Sequence, residues 1–334
     1  MRVNSAWIRQ GWVSGRGLTG AVALGFAALL AVPAAATPPG TNGAVVWQRE
    51  QLNGPPRLYV ANADGSGARR VFPTRDRADL EGAFSPTVAN LVVFSRASRA
   101  PFSEDIFAGD LTTGRVRRIV GARSADIAPS VSPDGTRIAY FAVRRPPGNR
   151  RPGPERIHVV NLDGTGDRTI TPSSRPSVDP DWSPDGTQIA YAETRFVTRN
   201  RAQTRVMVVN ADGSGRRALT AYGGFDEVNP KWTPDGQTIV FERLKRTGTK
   251  SDIVAIAAAG GPVRTMLATP AWETNPIPSP DGTRILFTSD RDRRGRDRLG
   301  PGFELYTMAL DGSDIVRLTN NRSPDIFPDW QRLP

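Results

Sequence analysis

The chain has 334 residues, 38% of them apolar and 23% charged, an ordinary globular composition long enough for one large β domain or two smaller ones. It contains no cysteine and one histidine, which excludes disulfides, thiolate zinc sites and histidine-rich metal centres. The formal charge is +11, almost all of it from arginine, since lysine occurs only at Lys231, Lys245 and Lys250; net charge speaks to solubility and nonspecific attraction to anionic polymers rather than to a defined site.

Residues 1–36 stand apart. Arg2, Arg9 and Arg16 occur without an acid, the apolar run Ala21 to Val32 follows, and Pro33-Ala34-Ala35-Ala36 closes the segment. A charged head, an apolar middle and an Ala-x-Ala exit describe a secretory signal cleaved after Ala36, so the mature chain is expected to be exported, in the periplasm, the cell envelope or outside the cell. Taking away these three arginines leaves +8. Leu18 to Ala36 is also long enough, as a helix, to cross a bilayer core of about 30 Å and act as an uncleaved anchor, the one route by which the reading allows membrane contact. Residues 37–43 read as a short Pro/Gly linker, and residues 44–334 as the folded domain.

From there β-type runs recur in pairs: Ala44 to Gln48 with Arg57 to Asn62, Leu91 to Ser95 with Asp105 to Asp110, and Ile138 to Ala142 with Arg156 to Asn161. Three more pairs follow, Ile189 to Glu193 with Arg205 to Asn210, Ile239 to Arg243 with Asp252 to Ala257, and Ile285 to Ser289 with Glu304 to Ala309. Each second run ends at a glycine-bearing hairpin turn such as Asn62-Ala63-Asp64-Gly65 or Asn210-Ala211-Asp212-Gly213. Before most pairs lies a [Ser/Thr]-Pro-Asp-Gly turn: Ser132 to Gly135, Ser183 to Gly186, Thr233 to Gly236 and Ser279 to Gly282. Ser85-Pro86-Thr87 is a degenerate copy. A further strand precedes each turn, ending at Phe84, Val131, Trp182, Trp232 or Pro278, and a last one ends at Trp330. A period near fifty residues is the mark of a propeller, whose units bury their faces only by stacking on neighbours. The expected fold is all-β: six four-stranded antiparallel blades, with the first and last strands sharing one blade to close the ring.

Pro180-Asp181-Trp182-Ser183-Pro184-Asp185-Gly186, together with Asn210-Ala211-Asp212-Gly213-Ser214-Gly215, resembles the PD40 (WD40-like) repeat of TolB-type propellers, and the likeness runs from about Ala44 to Trp330. TolB carries an α/β domain ahead of its propeller, whereas 43 residues precede the first run here. The resemblance implies a propeller fold and protein interactions in the cell envelope; it does not imply a reaction, because such propellers serve many roles.

Catalytic parts are scarce in the sequence. His158 alternates with apolar neighbours in a strand and reads as a satisfied structural residue, and no Gly-x-Ser-x-Gly elbow is present. The Asp-Gly turns lack the calcium-loop pattern, no cofactor is expected, and whether a metal binds is left open. The reading is a non-catalytic, monomeric binding propeller. The alternative is a hydrolase of lactonase or glycosidase type, working through channel carboxylates with or without a divalent cation.

The binding face is expected where the connections vary. The Pro-Asp-Gly and Asp-Gly turns occupy one end of the ring, and long basic loops the other. Those loops supply a cationic rim including Arg145, Arg151, Arg199, Arg201, Arg246, Arg294 and Arg296. Aligning the inner strands on their prolines places Asp79, Asp126, Ser177, Glu227, Glu273 and Asp325 three residues before, and Glu81, Ala128, Asp179, Asn229, Asn275 and Phe327 one residue before. The polar members of both sets, Asp79, Glu81, Asp126, Asp179, Glu227, Asn229, Glu273, Asn275 and Asp325, are the candidate ligand-binding residues of an acidic channel mouth. Expected partners are an envelope protein, a peptide or an anionic cell-wall polymer; nucleic acid is not expected, since aromatic-basic stacking platforms are missing from the sequence.

Overall fold

The computed structural model of the protein describes residues 40–333, except 52, 98–102, 122–123, 145–152, 173, 199–200, 246–249 and 293–301. The expected signal at residues 1–36 therefore lies outside the described residues. Within them the strands form six four-stranded antiparallel sheets and no helix, the six-bladed propeller expected from the repeats. We number the blades by their inner strands: Asp79–Phe84 (blade 1), Ser124–Val131 (blade 2), Ser177–Trp182 (blade 3), Phe225–Trp232 (blade 4), Glu273–Pro278 (blade 5) and Asp325–Leu333 (blade 6). Each inner strand packs against the next, and blade 6 returns to blade 1.

Closure follows from the ends of the described chain. Thr41–Gln51 is the second strand of blade 6 and pairs antiparallel with Asp325–Leu333, with Val45 opposite Trp330. The strand begins at Thr41, inside the segment read as a linker. The Trp330 indole donates to the Gly43 carbonyl at 3.2 Å. This pairing leaves no unpaired inner edge, the feature that would otherwise invite association with another chain.

The core is a repeat of one residue type at one register. Trp47, Phe94, Tyr140, Tyr191, Phe241 and Phe287 hold the same position on the six second strands, and all are at most 1% exposed. Second strands are covered on both faces by neighbouring blades, so they read as near-continuous apolar runs, as in Ile138 to Ala142. Complete burial of each such side chain contributes about 1.5–3 kcal/mol.

The turn motif works as its chemistry dictates. Ser132, Ser183, Thr233 and Ser279 use their hydroxyl oxygens to accept the backbone N–H five residues on, at 2.9–3.1 Å. The aspartate two residues after each accepts both that hydroxyl proton and a following amide. Partial burial pushes Asp134, Asp185 and Asp281 up, but these donors prevail and hold them below the ordinary value. Gly135, Gly186, Gly236 and Gly282 sit at φ of 69–72°, which a Cβ disfavours. In the degenerate copy the left-handed position passes to Asn90, at φ 61°.

Deleting residues 325–334 removes the inner strand of blade 6 and exposes the edge of Thr41–Gln51. The truncated chain is expected to elute as aggregate and to lose its cooperative melt, as read by size-exclusion chromatography and circular dichroism; a monomer melting like the parent would contradict this closure.

Candidate functional site

Every inner strand contains one backbone irregularity at the same place. Glu81, Ala128, Asp179, Asn229, Asn275 and Phe327 all have φ of 49–56°, the left-handed region, and the pairing register shifts there in each blade. Asn and Asp tolerate this conformation; Glu, Ala and Phe adopt it at a cost of about 1–2 kcal/mol. Such a bulge re-aims the side chains on either side of it.

The acidic residues divide accordingly. Asp79, Asp126, Glu227, Glu273 and Asp325, expected at the channel mouth, are 0–4% exposed, do not border the opening and pair with arginines, four of them on the second strands and Arg291 two residues past the end of one. The contacts are Asp79 to Arg96 at 2.6 Å, Asp325 to Arg49 at 2.6 Å, Glu227 to Arg243 at 2.5 Å, Glu273 to Arg291 at 2.9 Å and Asp126 to Arg144 at 3.5 Å. A desolvated carboxylate needs such a partner, and the bulge breaks the two-residue alternation that would have set Asp79 and Glu81 on one face.

Blade 3 solves the same problem in reverse. Its inner strand carries Ser177, and the acid moves to Glu193 directly opposite, which pairs with Arg205 at 2.9 Å and also with Arg216. Tyr222 donates to Glu193 at 2.8 Å. Aligned repeats hold a signal for this exchange: Arg49, Arg96 and Arg243 occupy the register at which blade 3 has Glu193.

Glu81, Asp179, Asn229 and Asn275 do border an opening on the ring axis, together with residues from all six inner strands. Its volume is about 210 Å³, room for a side chain or a chain end, about seven water volumes, rather than a folded domain. A second tier, one residue past the prolines, contributes Asp181, Lys231 and Asp329, which the sequence reading did not select. Asp181 and Asp329 belong to the Pro-Asp-Trp that occurs at both 180–182 and 328–330, a repeat that by itself gives no sign of a channel position.

Lys231 Nζ lies 3.2 Å from Asp181 Oδ1. Burial pulls this amine down, but Asp181, Asp329 and Asp179 outweigh it and hold the lysine above its ordinary value. Burial pushes Asp329 up to about 6, moderated by Lys231 and by amides including that of Phe84, whose N–H donates to Asp329 at 2.7 Å. Asp181 likewise accepts the Trp232 N–H at 2.9 Å, so both aspartates tie one blade to the next. The opening is thus bordered by four carboxylates and one lysine.

Behind it lies Glu242, 2% exposed, accepting from Asn229 Nδ2 at 3.1 Å with its Oε1 unbonded. Burial pushes it up to about 7, opposed by the hydrogen bond from Asn229.

Elsewhere, His158 is 5% exposed, with Nδ1 at 3.0 Å from Asp167 and Nε2 at 3.1 Å from Thr169, so both ring nitrogens are engaged. Among the described residues no three His, Cys, Asp or Glu side chains cluster as a metal site requires. Of the basic rim, Arg201 is exposed at the start of a strand; Arg145, Arg151, Arg199, Arg246, Arg294 and Arg296 lie outside the described residues.

Two outcomes are expected. Arg96→Ala strands the buried Asp79 and should cost about 3–5 kcal/mol of stability in a denaturant melt. For Glu242, the folded state binds the proton more tightly than the unfolded chain, so its stabilisation is complete below about pH 4.5 and is lost as the pH rises to about 7. Glu242→Gln removes that loss and should gain on the parent through this window, by about 3 kcal/mol above it, when melts near pH 4 and pH 8 are compared.

Comparison with known proteins agrees with this architecture. The PD40 family, described as the TolB beta propeller domain, matches residues 135–331, more than half of the chain. The Tol-Pal system protein TolB of Bordetella pertussis is 32% identical over 186 residues, 54% of this chain and 36% of that protein. Dipeptidyl-peptidase 5 of Porphyromonas endodontalis is 34% identical over 109 residues, 32% of this chain and 15% of the peptidase. The chain thus spans well under half the length of these curated relatives. The crystal structure of TolB from Acinetobacter baumannii superposes with a TM-score of 0.69 at 19% identity, covering 86% of this chain and 66% of that one. With six PD40-type blades closed into a ring and the family match across most of them, the chain belongs to the TolB β-propeller family.

Proposed function

We propose that this protein is an exported binding propeller that takes a cationic group of a polypeptide partner, an arginine or lysine side chain or a free amino terminus, into the long-loop end of its channel. The observation that carries the reading is the opening itself: about 210 Å³, bordered by Glu81, Asp179, Asp181 and Asp329 against the single Lys231. Charge-assisted hydrogen bonds in such a partly desolvated funnel favour a cation, and the volume suits one side chain or chain end. The bulge makes Glu81 and Asp179 the upper tier, nearer the long loops, and Asp181 and Asp329 the lower one.

The basic, apolar and small-residue order of residues 1–36 supports export, and the relative named as a Tol-Pal system protein supports an envelope partner. Binding rather than turnover is favoured because His158 is engaged at both nitrogens, and because Asp181 and Asp329 already accept backbone amides. The peptidase likeness covers 15% of that enzyme.

Fluorescence anisotropy of a short labelled peptide beginning with a free amino-terminal arginine tests this. The peptide should bind the parent, and Glu81→Gln or Asp179→Asn should each weaken it about tenfold or more. An acetylated peptide beginning with glutamine should bind poorly. Equal binding of both peptides, or indifference to both substitutions, would refute the channel as the site.

A further inference from the structure

Two successive blades carry the same turn with one exchange. Residues 132–140 read Ser-Pro-Asp-Gly-Thr-Arg-Ile-Ala-Tyr and residues 183–191 read Ser-Pro-Asp-Gly-Thr-Gln-Ile-Ala-Tyr, so the two differ only at Arg137 and Gln188. Both positions open a second strand at the same register, Arg137 opposite Asn161 and Gln188 opposite Asn210. Each turn meets the glycine of the next in the same way: a Cβ on Gly186 would lie 3.5 Å from Pro133 Cγ, and one on Gly236 3.3 Å from Pro184 Cγ. The inner strand of the following blade ends in tryptophan in both cases, Trp182 after Arg137 and Trp232 after Gln188.

Between blades 2 and 3 the arginine joins the turn to the indole. Its guanidinium lies 4.6 Å from the centre of the Trp182 ring, with Nη2 3.6 Å from Asp134 Oδ2, and the Trp182 indole donates to the Ser130 carbonyl at 3.2 Å. Between blades 3 and 4 the matching position is Gln188, shorter and uncharged, which donates to Asn210 at 3.3 Å. Here an opening of about 310 Å³ is bordered by Asp185, Gln188, Trp232, Asp235, Gly236 and Arg217. Arg217 is engaged with the Ala258 carbonyl at 2.7 Å, and the buried Trp232 Nε1 has no acceptor among the described residues. Asp185 and Asp235 accept their turn donors through Oδ1, so Oδ2 is the oxygen for a cation, as Asp134 Oδ2 is for Arg137.

An indole with a carboxylate beside it suits a guanidinium, which stacks on the ring and donates to the acid at once; a compact ammonium satisfies the acid without stacking. The equivalent place in blade 2 is filled by an arginine of the chain itself, so its size and chemistry are set by that side chain. We propose that the opening between blades 3 and 4 binds an arginine side chain of a partner polypeptide, its guanidinium lying on Trp232 beside Asp185 as that of Arg137 lies on Trp182 beside Asp134. The site stands at the turn end of the ring. It does not depend on the channel reading, and Trp232 does not border the channel.

The test titrates the full-length chain, isotope-labelled at its indole nitrogens, with N-acetyl-arginine amide, a blocked residue whose one charge is its guanidinium. In two-dimensional NMR spectra the Trp232 indole resonance, assigned by its loss in Trp232→Phe, should shift and saturate. N-acetyl-citrulline amide, the uncharged counterpart, should bind about tenfold or more weakly. Gln188→Arg gives blade 3 the turn of blade 2 and should abolish the response, its own guanidinium taking the place. Arg137→Gln gives blade 2 the turn of blade 3 and should make the Trp182 indole respond as well. A Trp232 resonance that stays still, that moves equally with the citrulline probe or that still moves in Gln188→Arg overturns the proposal. So does a shift confined to Trp330, which borders the channel and would place the guanidinium there.

Discussion

One residue in each inner strand turns into the left-handed region just before the proline, and the role of each acidic side chain follows from its side of that turn. Ahead of it, carboxylates enter the blade and must find arginine; at and beyond it, they border the axial opening. The conformation costs free energy at Glu81, Ala128 and Phe327, so it persists because neighbouring elements hold it. Gln48 of blade 6 accepts the Glu81 amide at 3.3 Å, and Asp181 of blade 3 accepts the Trp232 amide of blade 4 at 2.9 Å.

The ion pairs show how a repeat preserves an interaction while changing the residues that make it. Five blades place the acid on the first strand; blade 3 places it on the second and recruits Arg205 and Arg216. Breaking either arrangement leaves a buried charge uncompensated, which is why a pair of modest net worth is costly to dismantle. That blade also carries the Tyr222 ring within 4.2–5.6 Å of three guanidiniums, so departures from sixfold symmetry gather in one sector.

Charge is separated in space despite the excess of arginine. Arginine neutralises the acids inside the blades, whereas the axial opening keeps four carboxylates about one lysine. Asp329 and Glu242, pushed up to about 6 and about 7 by burial, make the opening most negative above neutral pH.

The amino-acid sequence by itself determined the blade count, the strand pairs, the turn chemistry and the shared closing blade, because each rests on local rules: two-residue alternation, proline and glycine backbone preferences, and a motif recurring in register. It also placed Glu81, Asp179, Asn229 and Asn275 at the channel. Tertiary structure alone decided that Asp79, Asp126, Glu227, Glu273 and Asp325 belong to the blades, because a register shift of one residue redirects their side chains. It alone brought Lys231 to Asp181, fifty residues away, and placed Phe84 over Asp329 and Asn275 against Glu242. Those contacts cross from blade to blade and join side chains and amides that no local pattern relates.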